Sequence, residues 1–178
     1  MDKKHLIIVG VISIIWLIGA VGFYHQTEDL KVLFLAINAF AVVIATYINL
    51  ISSLQKIKFD KTENTFEYIE RWDSALLKEA RDFTRELKKE KHKLSEEEIL
   101  KKIDENKGLE RSVITIFNFW QELYLSMIHG RVNGDLLKRS FANIYIDMFE
   151  RFKPWIYKHK DYDPKGTEDL EKLYKNWQ

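Results

Sequence analysis

Residues 30–87 read LKVLFLAINAFAVVIATYINLISSLQKIKFDKTENTFEYIERWDSALLKEARDFTREL, and they lie in an interval, 23–107, that holds neither Gly nor Pro. Residues 30–51 are apolar and long enough to cross a bilayer, whose core of ~30 Å takes about 20 helical residues. Residues 59–87 are charged but keep apolar side chains at three- and four-residue steps: Phe59, Phe66, Ile69, Trp72, Leu76, Ala80, Phe83 and Leu87. With no breaker between the two parts, the pattern predicts one helix, or two nearly collinear ones, leaving a membrane and entering a water-soluble bundle.

Working back from that rod, residues 6–24 carry no charge and form a first candidate span. A signal peptide with Gly19–Gly22 as its cleavage region is the competing reading. A second span follows at once, which favours a retained transmembrane helix. Lys3 and Lys4 precede the pair, Lys56, Lys58 and Lys61 follow it, and the link at 25–29 is acidic. The positive-inside rule then puts both chain termini in the cytoplasm. The expected organisation is a transmembrane hairpin over 1–54 (spans 6–24 and 30–51) and a cytoplasmic helical bundle over 55–178. In a bacterium the membrane is the inner one.

Working forward, 178 residues leave room for one modest domain beyond the stem. A net charge of +1 lacks the basic excess of a general nucleic-acid binder. The absence of Cys excludes disulfides, thiolate catalysis and thiolate metal sites. Ser95-Glu96-Glu97-Glu98 matches a capping box and starts a short helix ending near Gly108. Residues 109–129 are apolar on most faces and form the central helix. Gly130 and Gly134 bracket a turn with Asp135 as N-cap, and Leu137, Phe141, Ile144, Met148 and Phe152 mark the next helix. Pro154 kinks or restarts it. Asp163–Gly166 is a turn before a final helix over 167–178. No segment alternates at period two, so the fold class is all-α.

On a helical wheel of the second span, Lys31, Asn38, Ala41, Ala45, Asn49, Ser52 and Lys56 share a stripe about 80° wide. Asn side chains inside hydrocarbon are costly without a partner helix or water. Small and polar residues can pack one helix against another. Alternatively, several copies can turn the stripe to an aqueous lumen, which requires a homo-oligomer, since one hairpin cannot enclose a pore.

Arg85 and His92 fit the loose Arg-x(4–6)-His spacing of a superfamily of helical, metal-independent RNases (HEPN-like). There a cation sits on the scissile phosphate and an imidazole moves the proton of the 2′-hydroxyl. The same run also reads as a solvated basic face able to touch RNA or lipid headgroups. No further catalytic residue is assigned. Asp161 and Asp163 suggest a Ca²⁺ loop, but Lys165 and Lys172 stand where oxygen ligands belong. The five His are scattered, so neither a metal nor any other cofactor is expected.

Residues 114–156, with Asn118-Phe119-Trp120-x-Glu122, the Gly130-to-Asp135 turn and Phe152-Lys153-Pro154-Trp155-Ile156, resemble a large bacterial group that joins a membrane stem to a helical domain. With the two spans and the Arg85/His92 pair added, the chain resembles the small membrane accessory family of type VI-B CRISPR systems, encoded beside an RNA-guided RNase. That resemblance implies a non-enzymatic, pore-forming homo-oligomer in the inner membrane, which strengthens antiviral interference by perturbing the membrane. It also carries two alternatives: a membrane-tethered RNase using Arg85 and His92, and a non-conducting membrane adaptor.

Overall fold

The computed structural model describes residues 3–27, 30–90 and 94–178. Among them the chain is all-α, with helices α1 (Lys3–Thr27), α2 (Leu30–Trp72), α3 (Ala75–Glu90), α4 (Glu96–Glu105), α5 (Lys107–Ile128), α6 (Gly134–Lys158) and α7 (Pro164–Trp177). The backbone divides into two compact units, Met1–Phe59 and Asp60–Gln178. The boundary falls inside α2, which runs unbroken through it as the Gly- and Pro-free sequence allows.

The first unit is a pair of helices, each long and apolar enough to cross a membrane. Trp16 of α1 stacks on Phe40 of α2, with centroids 5.5 Å apart and planes 14° from parallel. On α2 the half-buried positions are Leu33, Ala36, Phe40, Ile44, Tyr47 and Ile51. Their three- and four-residue steps make one seam toward α1. Most of the remaining apolar side chains here are exposed, Ile18 at 69 % and Leu35 at 74 % among them. An apolar surface of that extent marks a membrane or protein–protein contact.

The second unit is built round α5. Val113, Ile116, Trp120 and Leu123 on it are fully buried. The end of α2 docks there through a ladder of contacts. The Tyr68 and Ser126 hydroxyls lie 2.7 Å apart, Arg71 donates to both carboxylate oxygens of Glu122 at 2.7 Å, and Trp72 packs on Phe119, Trp120 and Phe141. One turn earlier, the buried Thr65 hydroxyl donates to Lys61 O and accepts from Asn133 N. Tyr145 and Trp177 close the aromatic cluster from α6 and α7.

The rod is shorter than expected. α2 stops at Trp72 and α3 begins at Ala75, although neither Gly nor Pro intervenes. Asp73 N donates to Glu70 O and Ser74 N to Arg71 O, a tightened last turn, and Lys78 N then donates to Ser74 O to open α3. Asp and Ser are poor helix-interior residues because their side chains compete for backbone groups. The break resets the helical phase, so the predicted stripe does not continue across it. Trp72, Ala80 and Leu87 are buried as expected, but Phe59, Phe66, Leu76 and Phe83 are exposed. Thr65, Leu77 and Thr84 take the inward places.

Several helix ends also differ. Ser95 forms the capping box with Glu98, but α4 ends at Glu105, where Asn106 caps it and also accepts from Gly108 and Leu109 N–H to start α5. Asn133, not Asp135, is the N-cap of α6, so Gly134 is already helical. Pro154 lies inside α6 without ending it. Asp163 is itself the N-cap of α7 and Pro164 its first residue, where a missing N–H costs nothing. Gly130 has φ +65°, the left-handed conformation that lets α5 turn back toward α6.

Candidate functional site

Two features offer more than packing, one in each unit. In the first, Lys31, Asn38, Ala41, Ala45, Asn49, Ser52 and Lys56 are all exposed. At 100° per residue the centre of this stripe lies roughly 150° round α2 from the seam that meets α1. The polar groups are therefore turned away from the chain's other apolar helix. Neither Asn38 nor Asn49 has a hydrogen-bond partner among the described residues. Thr46, at the edge of the stripe, satisfies its hydroxyl locally on Val42 O at 2.8 Å.

In the second unit a groove of about 460 Å³ lies between α3 and α6, with Trp72 at the end of α2 as a third wall. Arg81, Thr84 and Arg85 line it from α3, and Asn143, Ile144, Asp147, Met148 and Arg151 from α6. The i, i+3 and i, i+4 spacings place each set on one helical face. Arg81 lies over the Trp72 ring at 4.6 Å and donates to Asp73 at 3.2 Å. Arg85 is paired with Asp82 at 3.0 Å, both well exposed. Arg151 is 3 % exposed and donates through Nη2 to Asp147. Among the described residues its buried Nε has no acceptor. Desolvation pulls the Arg151 guanidinium below its ordinary pKa, and Asp147 opposes that pull.

Arg85 thus sits among cations, while His92 lies outside the described residues. His25, His129 and His159 do not line the groove. Among the described residues no cluster of His, Asp or Glu could hold a metal. Arg81, Asp147 and Arg151 escaped the sequence reading. Their signal was two i, i+4 pairs of charges, 81/85 and 147/151, which reads equally as solvated helix surface until the two faces are known to oppose each other.

The family-like cues are mostly structural. Phe119 and Trp120 are core, and Glu122 anchors Arg71, which holds its carboxyl below the usual glutamate range. Asn118 is exposed and lines a smaller pocket of about 150 Å³ with Gln121, His159, Asp163 and Thr167.

Residues 35–177 match a family described as Domain of unknown function (DUF4760). The match covers most of α2 and the whole of α3 to α7, and the chain belongs to that family. No curated protein and no solved structure matches it.

Proposed function

We propose that the chain is one subunit of a homo-oligomer in the bacterial inner membrane, in which α1 and α2 cross the bilayer and both termini lie in the cytoplasm. Copies of α2 line a pore in part, and the protein acts without catalysis. The observation that carries this reading is the placement of Asn38 and Asn49. Both face away from α1, the other apolar helix of the first unit, and neither amide has a partner among the described residues. A buried amide in hydrocarbon costs free energy until it meets another polar group or water. Sister copies supply the first, and a lumen the second.

The resemblance of the whole chain, with its two spans and the Arg85/His92 pair, to the membrane accessory family of type VI-B CRISPR systems supports a biological setting. The pore would strengthen antiviral defence by depolarising the membrane when the partner RNA-guided RNase is triggered. The test is the mass of the full chain purified in mild detergent. A ring-sized multiple of the 21.3 kDa subunit is expected, and a monomer or dimer overturns the proposal. In liposomes the assembly is expected to leak ions, and Asn38→Leu or Asn49→Leu to change the leak.

A further inference from the structure

The groove between α3 and α6 has a composition that the pore reading does not use. The geometry points to a binding site there for a small organic phosphate of nucleoside-monophosphate size, with the phosphate held by Arg81, Arg85 and Arg151. This inference stands on the second unit alone and does not need the oligomer.

Three arginines line one cavity from two helices, and of the carboxylates described as paired with them only Asp147 lines it. Asp73 and Asp82 stand outside, 74 % and 51 % exposed at the side chain. Such exposed pairs are weak and give way to a stronger acceptor at little cost. Each guanidinium has five N–H donors in a planar fork suited to phosphate, and the pairs described engage one nitrogen on each. Arg151 is the clearest case. It is buried, its described pair with Asp147 uses Nη2, and among the described residues Nε has no acceptor, so its desolvation is only partly compensated and a second acceptor on the guanidinium stabilises it.

Size and the apolar wall decide between kinds of phosphate. About 460 Å³ falls in the range of small-molecule sites, and Ile144, Met148 and Trp72 give the cavity apolar surface beside the cations. Ile144 is 39 % exposed, and the apolar body of a nucleoside would cover it. A free phosphate would leave that wall wet. Asn143 adds a neutral donor and acceptor at the edge.

The test is calorimetric titration of the full chain in detergent with adenosine 5′-monophosphate and, in parallel, inorganic phosphate. The expected result is saturable binding of the monophosphate, at least tenfold tighter than inorganic phosphate. Arg85→Ala should weaken it at least tenfold, and Arg151→Lys, which keeps the charge but loses the fork, should weaken it as well. Arg85 is exposed, so its variant keeps the helical circular dichroism and the melting temperature, and it carries the test should Arg151→Lys not fold. No binding of the monophosphate, equal affinity for inorganic phosphate, or undiminished binding by Arg85→Ala overturns the assignment. Binding of single-stranded RNA without binding of the monophosphate, or displacement only by vesicles containing phosphatidic acid, overturns it equally.

Discussion

Tyr145 lies fully buried between Trp120, Phe149 and Trp177, yet carries a hydroxyl. That hydroxyl donates to Leu170 O at 2.6 Å, joining α6 to α7, and burial pushes the phenol far above its ordinary pKa. Tyr145→Phe keeps the ring but strips the carbonyl of a buried partner, so a loss of about 1–2 kcal/mol is expected in denaturant unfolding. The Arg71–Glu122 pair makes a contrast. Its bidentate geometry is good, but the side chains are 47 % and 50 % exposed, so solvent screens it. Arg71 lowers the Glu122 pKa, so the pair's contribution is fully present above the ordinary glutamate value of ~4.3 and fades as pH falls through the lower folded value. Glu122→Gln is expected to cost less than about 1 kcal/mol at neutral pH, with the difference from wild type shrinking in acid melts.

At the scale of helices, much of the fold was legible because helical periodicity and the two apolar runs are strong local signals. The continuity of α2 past Ile51 followed from the missing breakers. What the sequence hid were decisions made by competition. Asp73 and Ser74 break the rod by weak preferences that tertiary packing of Trp72 tips over. Asn133 wins the N-cap of α6 from Asp135 because Thr65 of another helix fixes its backbone N–H. The arginine groove depended on the same break, since the shifted helical phase of α3 decides that Arg81 and Arg85 line the groove with residues of α6. Asn106 is the sharpest element-level test, for one residue ends α4 and caps α5. Asn106→Ala is expected to cost about 1 kcal/mol, within the 0.5–2 kcal/mol range of lost N-caps. The expected signature is faster amide exchange in the first turn of α5, at Gly108 and Leu109. Unchanged exchange there would show that the cap contributes nothing.

For the whole molecule, the division into two units has a direct consequence. The buried apolar residues run from Trp72 to Trp177, all within Asp60–Gln178. A fragment of residues 60–178 therefore retains the complete aromatic core and the α2 residues that dock on α5. It is expected to be soluble without detergent, strongly helical, and cooperative in melting. An unfolded fragment would mean that the core depends on residues 1–59. The same fragment locates self-association. If the amide stripe of α2 drives assembly, the fragment stays monomeric while the full chain in detergent is a ring. The opposite outcome has physical grounds too, since Phe66, Leu76, Phe83 and Ile128 are 48–66 % exposed on the second unit. A fragment reaching the same subunit number as the full chain would move the driving contact to those side chains. It would leave Asn38 and Asn49 as lining, whose substitution alters conduction without altering mass.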